Sequence, residues 1–472
     1  MRGVARVGVY APLLRLDCAA AAARALKFSG LAGRRDGYRA VGGWDEDAFT
    51  FAVEAARGGA AALDTLIFAS TSAPFFERLH ATLAVDALGL PRETRTRDVA
   101  GSRRCAVSAL LDALLARGSA LIAAGERRPA RPGAAAHLAQ GDGGAAAWVA
   151  DEAPARFIGW ASLSYDLVDT YASREHPEPY PAEERFVKEG AAAHVLVPTI
   201  RRALESAGLS GGDIHHVAAP EPVAGLWRDI SRATKISAPN HASEISAKLG
   251  DLGAAHALFA FALATARAKP GERILLTGFG SGCDALVFET TGSMPGAELA
   301  EAALNEGALL ADYVRFLSLN GALDLDWGVR SEFEQKAQAT VLDRYGRDTL
   351  GFIGGRDCAG NVQFPKSRIP VRPDADGPEA MQDVRLADEP ARIVSVTADR
   401  LNYTPDPPFW FGLAQFNNGA RVMMEFTDAD ARGFSVGDRV AMRLRIKSHD
   451  RRRGFRTYFW KAAPAERPTL GG

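Results

Sequence analysis

The sequence predicts an α/β fold of two similar strand-and-helix halves followed by a small all-β barrel. Three observations predict it. Over residues 1–290 short apolar runs alternate with helical patterns on an Ala- and Gly-rich background, the texture turns polar after Glu289, and from Arg392 onward short strand-like segments follow one another. Strand-helix-strand alternation feeds a largely parallel sheet covered on both faces, and five short strands in about 70 residues close most simply as a barrel of the OB type.

In chain order, the alternation Val4–Tyr10 reads as a strand, and the apolar runs Thr65–Ala69, Ser119–Ala124, Ala145–Val149, His216–Ala219 and Arg273–Thr277 read as further strands. Helical spacing covers Asp45–Arg57, Arg78–Leu88, Ala106–Arg117, Ile200–Ala207 and Ala254–Ala268, the last stopped by Pro270-Gly271. Thr290–Gly296 has linker composition and polar helices run to about Tyr345. Strands follow at Ile393–Thr397, Phe409–Phe416, Arg421–Phe426, Arg439–Ile446 and Arg456–Trp460, with Asn418-Gly419 marking a hairpin. The expected divisions are 1–160 and 161–292 for the duplicated halves, 293–345 for linker and helices, and 346–472 for the barrel domain.

Composition removes whole classes of function. At 472 residues, with 47% hydrophobic and 24% charged residues, the chain can bury real cores and is not a disordered or fibrous protein. Its 56 Lys plus Arg against 57 Asp plus Glu leave no net field to hold a nucleic-acid backbone. Cys18, Cys105, Cys283 and Cys358 lie far apart without a C-x-x-C pair, so no zinc site or disulfide framework is expected. The Ala-rich stretch 109–124 is broken by Asp112 and Arg117, which argues against a membrane span, and the N-terminus lacks the apolar core of a signal peptide. A cytoplasmic protein is expected.

Several residues stand out as chemistry. Cys105 falls at the start of a predicted helix beside Arg103 and Arg104, where dipole and cations would stabilise a thiolate; the alternative is a small buried hydrophobe. His256 enters an apolar helix after Asp251, as a proton carrier oriented by that carboxylate or as a core histidine satisfied by backbone. His215, His216 and His241 are further candidate bases. Gly280, Ser281 and Gly282 follow a strand, either as a tight turn or as amides facing an oxyanion. Gly141–Gly144 is either a second tight turn entering a strand or a place where backbone approaches a ligand closely. The loop Arg451-Arg452-Arg453 is solvated surface or a dock for a phosphorylated ligand, with Arg452 the candidate contact.

Taken in order, Val7–Pro12, Trp44–Asp47, Asp98–Leu110, Gly141–Ala145, Tyr180–Phe186, Leu249–His256 and Gly278–Asp284 resemble the thiolase superfamily, in its 3-hydroxy-3-methylglutaryl-CoA synthase-like branch. Phe352–Arg356, Val362–Pro365 and Val436–Val440 resemble the OB-fold domain that accompanies acyl-CoA-handling relatives. The resemblance implies a five-layered αβαβα core, a homodimer, a coenzyme A thioester as substrate, and no metal or other cofactor. It also implies a cysteine nucleophile, but that position falls on Arg103 here, two residues before Cys105. The synthases' glutamate base falls on Thr71, the histidine expected before Pro220 falls on Ala218, and the asparagine of the Gly-Asn turn is Asp251. Where relatives carry a four-cysteine zinc ribbon, only Cys358 remains.

Three functions follow. The first is an acyl-CoA-dependent, carbon–carbon bond-forming acyltransferase using Cys105, His256 and Asp251, with Gly280–Gly282 at the oxyanion. The second is an aldol-type carbon–carbon lyase on an acyl-CoA with no covalent intermediate. The third is a non-catalytic acyl-CoA-binding scaffold.

Overall fold

The computed structural model describes residues 2–24, 36–59, 63–325, 338–367, 369–371, 381–402, 404–451 and 453–470. The chain forms two compact units. The first comprises Met1–Gly42, Asp47–Thr82 and Glu93–Phe316, the second Gly43–Glu46, Leu83–Arg92 and Leu317–Gly472.

One sheet of nine strands organises the first unit. Its spatial order is His216–Ala218, Arg273–Phe279, Gly282–Thr290, Ala155–Ser164, Gly3–Tyr10, Gly143–Ala150, Ala120–Glu126, Thr65–Ala69 and Arg95–Val99. Both faces are covered, as strand periodicity requires. Along Arg273–Phe279, Ile274 and Leu276 enter the core that holds the helix His256–Arg267, whereas Leu275 enters a second core with Ile200 and Leu204. The sheet is mixed rather than largely parallel. Only the pairs His216–Ala218 with Arg273–Phe279, and Thr65–Ala69 with Arg95–Val99 and with Ala120–Glu126, run parallel. The tight turn at Gly280–Ser281 leaves no room for a crossover helix and sends Gly282–Thr290 straight back. Ala120–Glu126 likewise meets Gly143–Ala150 antiparallel.

The helix Ala48–Ala55 starts three residues later than the apolar pattern suggests. Asp47 caps it, accepting from the amides of Phe49 and Thr50 at 3.1 Å while Thr50 Oγ1 accepts from the Asp47 amide at 2.9 Å. The helix lies flat because three adjacent strands offer it glycine. A Cβ on Gly8, Gly144 or Gly125 would stand about 2 Å from the carbonyl oxygens of Ala55, Phe51 and Ala48 respectively.

In the second unit five antiparallel strands lie in the order Arg421–Glu425, Phe409–Phe416, Ala391–Asp399, Arg439–Asp450 and Phe455–Pro464. A parallel bridge from Phe426 to Ala462 links the two outermost strands. The expected hairpin forms, with Gly419 at φ 93° and its amide on Phe416 O. Inside lie Ala414, Phe416, Met424, Met442, Leu444 and Trp460. Lys461 is buried with them, its ammonium 2.9 Å from both Asp45 and Glu425 and 4.5 Å from the centre of the Trp44 ring.

Candidate active site

The chemistry-bearing residues of the first unit gather where strands Thr65–Ala69 and Ala120–Glu126 end, beside the N-terminus of the helix Cys105–Leu115. The pairing of Ala69 with Ala124 brings the turn Ser70–Ser72 alongside Glu126. Glu126 is fully buried. Its Oε2 accepts from Thr71 Oγ1 at 2.9 Å, the Thr71 amide at 3.3 Å and the Ala254 amide at 2.9 Å, and its Oε1 accepts from the hydroxyls of Ser70 and Ser72. Gly253, at φ 53°, makes the approach possible: a Cβ there would stand 2.5 Å from Glu126 Cγ. Thr71 itself is exposed, so its hydroxyl connects a buried carboxylate to the surface of the unit.

Cys105 begins the helix, as expected, yet its thiol is not activated. It is buried, and burial followed by the neighbouring Glu126 carboxylate pushes its pKa up, against the weaker help of the Ala106, Cys105 and Ser70 amides. The two arginines expected to stabilise a thiolate are engaged elsewhere. Arg103 pairs with Asp169 and, at 3.1 Å, with Asp251; Arg104 donates to Leu163 O at 3.1 Å and lies 3.7 Å from Asp284.

Asp251 is the hinge of an ion network. Arg128 reaches its Oδ2 at 2.7 Å, Arg103 the same oxygen at 3.1 Å, and the Gly253 amide its Oδ1 at 2.9 Å. Burial alone would raise the Asp251 pKa, but Arg128 and Arg103 together hold it far below the carboxylate range, so it serves as a fixed anion rather than a proton carrier. Arg103 is correspondingly raised: against burial, Asp251 and Asp169 keep it charged.

His256 satisfies both ring nitrogens locally. The Leu252 amide donates to Nδ1 at 3.1 Å and Nε2 donates to Ala242 O at 3.0 Å, which fixes one neutral tautomer. Burial lowers its pKa despite Asp251, whose Oδ1 lies 3.5 Å from Nδ1. This is the arrangement of a core histidine. The Gly280–Gly282 turn lies against the site, since a Cβ on Gly280 would be 2.9 Å from Ser102 Cβ and 3.5 Å from the Arg103 nitrogen. The Gly280 amide donates to Gly282 O within the turn, at 3.0 Å, and Ser281 sits at φ 48°. Arg452 lies outside the described residues; its neighbour Arg453 belongs to the second unit and pairs with Asp450 at 2.9 Å.

The structure therefore unites Cys105, Asp251 and Gly280 around Arg103, sets His256 behind Asp251, and adds Glu126, Arg128 and Asp169, which pattern reading passed over. One signal for Glu126 was present: Gly125-Glu126-Arg127-Arg128 ends an apolar strand, and strand carboxyl ends are where α/β sheets bind ligands. Among the described residues no group of three or more His, Cys, Asp or Glu is arranged to hold a metal ion, and no helix is long and apolar enough to cross a membrane.

No family model matches the chain. It is similar to the hydroxymethylglutaryl-CoA synthase of Aeropyrum pernix, 27% identical over 314 residues that span 63% of this chain and 84% of the relative. Among solved structures it resembles MvaS in complex with 3-hydroxy-3-methylglutaryl coenzyme A, with a TM-score of 0.54, 18% identity and coverage of 71% of this chain and 97% of the other. The 3-oxoacyl-(acyl carrier protein) synthase III of Pseudomonas aeruginosa aligns with a TM-score of 0.51 at 19% identity, over 62% of this chain and 99% of its own. The first unit thus has a mixed α/β, thiolase-like fold, and the chain resembles the condensing enzymes of the hydroxymethylglutaryl-CoA synthase type.

Proposed function

We propose that the protein acts on an acyl-CoA thioester and makes or breaks a carbon–carbon bond by an aldol-type reaction with no acyl-enzyme. The observation that carries this reading lies just before the helix Cys105–Leu115: Arg103, on which the family resemblance puts the nucleophile, is held charged by Asp169 and Asp251, while Cys105 is buried with a raised pKa. A charged guanidinium suits the developing oxyanion of a thioester enolate, which needs electrostatic stabilisation and no covalent bond. In this reading Asp251 and Arg128 hold Arg103 in place, and the Gly280–Gly282 turn shapes the thioester side of the site.

The strand order of the second unit, with its parallel bridge between the outermost strands, supports the OB-fold reading. The division at 160, 292 and 345, the five-layered core and a cytoplasmic homodimer belong to the same proposal.

The test is exchange of the acetyl-CoA α-protons in D2O, followed by mass spectrometry. Wild type should incorporate deuterium, and Arg103→Met should lose at least about 100-fold in exchange rate, the scale of removing one oxyanion donor. Exchange unchanged in Arg103→Met, or absent from wild type, would overturn the proposal.

A further inference from the structure

Glu126 and Thr71 form a unit that the ion network around Arg103 does not explain. Five donors converge on a buried carboxylate, and two of them, the Thr71 amide and the Thr71 hydroxyl, belong to an exposed residue. The unit is tied to Arg103 through one short loop, because Asp251 binds Arg103 and three residues later the Ala254 amide binds Glu126. Ser72, also on Glu126, accepts in turn from the Arg127 amide at 2.8 Å, and the Cys105 thiol adjoins Glu126 and the Ser70 amide. Within the cluster Glu126 is buried and Thr71 is the exposed residue.

We infer that Thr71 and Glu126 form a proton relay for a 3-hydroxyacyl thioester, with the Thr71 hydroxyl taking the proton of the substrate's 3-hydroxyl as it passes its own to Glu126. This deepens the proposed aldol-type reading and rests on it. An oxygen-to-oxygen relay suits an alcohol proton, and the inner transfer has a hydrogen bond of ordinary length to run along, 2.9 Å from Thr71 Oγ1 to Glu126 Oε2. In the cleaving direction the 3-hydroxyl proton moves to Thr71 Oγ1 and the Thr71 proton to Glu126 Oε2. The O–H electron pair becomes the carbonyl π bond, the bond between carbons 2 and 3 breaks, and its pair forms the enolate opposite Arg103. Returning the proton through Thr71 to carbon 2 releases the shortened acyl-CoA and restores Glu126. No redox partner is needed. Thr71 meets the substrate; Glu126 acts through it.

The experiment uses the full chain with 3-hydroxy-3-methylglutaryl-CoA and 3-hydroxybutyryl-CoA as probes, following release of acetyl-CoA, beside the acetyl-CoA deuterium exchange described above. Wild type should cleave at least one probe. Thr71→Val should lower kcat by about 100-fold or more with KM changed little, Thr71→Ser should restore it to within about 10-fold, and Glu126→Gln should fall with Thr71→Val. Equal cleavage by wild type and Thr71→Val, or failure of Thr71→Ser to rescue, would overturn the relay alone. Deuterium exchange without cleavage of either probe would also overturn the relay while leaving the enolate reading intact. Neither exchange nor cleavage in wild type would overturn both.

Discussion

Replacing Asp251 by Asn removes the charge on which Arg103 and Arg128 converge and keeps the shape of the side chain. Breaking a fully buried pair costs about 3–5 kcal/mol. Two features reduce that here: the Asp251 side chain is 30% exposed, and Arg103 keeps Asp169. Arg128, 6% exposed, loses its charged partner but keeps a neutral amide oxygen in its place and the long contact to the backbone carbonyl of the same residue, at 3.4 Å. A loss of about 2 kcal/mol in the stability of the first unit follows. With a urea dependence of about 3 kcal/mol/M, its midpoint should fall by roughly 0.7 M. Because the pKa of Asp251 is depressed in the folded state, its stabilisation is present above the unfolded value near 3.9 and is lost as the pH falls below it. The gap between wild type and variant should be full at pH 7 and shrink below about pH 4. Hydrogen exchange across a urea series, read on peptides covering Thr65–Ala69 and Ala120–Glu126, reports on the first unit by itself. Equal midpoints at pH 7, or a gap that widens toward pH 3, would refute the assignment of Asp251 as the anion that fixes both arginines.

Other consequences can be checked directly. Under native conditions at pH 8 iodoacetamide should label the exposed Cys358 and leave the buried Cys105 unlabelled until the chain is denatured; fast native labelling of Cys105 would contradict its raised pKa. In the second unit Lys461→Ala removes the ammonium shared by buried Asp45 and half-buried Glu425, which keep Arg445 at 3.9 Å and Lys447 respectively, and should destabilise that unit by about 2 kcal/mol in chemical denaturation, whereas no change would refute Lys461 as the anchor of both carboxylates. His241 is held down at about 4 by burial, then by His216 and Arg267. Its contribution is therefore complete above the unfolded value near 6.5 and is lost as the pH falls through about 4, so the Tm of wild type should drop across that interval more steeply than that of His241→Gln.

Much of the architecture was legible because it follows from local rules. Strand Thr65–Ala69 is buried throughout and apolar after Thr65, Phe409–Phe416 alternates in burial from Gly412 on, and Asn418-Gly419 supplies the positive φ of its hairpin, so each lies where the sequence puts it. Strand direction was not legible, since an apolar run reads the same whichever neighbour it pairs with; the two-residue turn at Gly280–Ser281, not the helices, decides that Gly282–Thr290 runs antiparallel. In the site, position along the chain pointed to Cys105, but reactivity depends on surroundings that only the fold supplies: burial and Glu126, a residue 21 positions away. Arg103 was visible only as a departure from the thiolase-like pattern, and its partners Asp169 and Asp251 lie 66 and 148 residues distant.

On the proposed reading, the charge of Arg103 stands where the family resemblance puts a covalent nucleophile. Intact-protein mass spectrometry of wild type and Cys105→Ala, after incubation with a panel of short acyl-CoAs and with free CoA as control, tests it most directly. The expected result is no acyl adduct on either protein, together with CoA binding by calorimetry. An adduct on wild type that disappears in Cys105→Ala would contradict it and establish acyl transfer through the buried thiol.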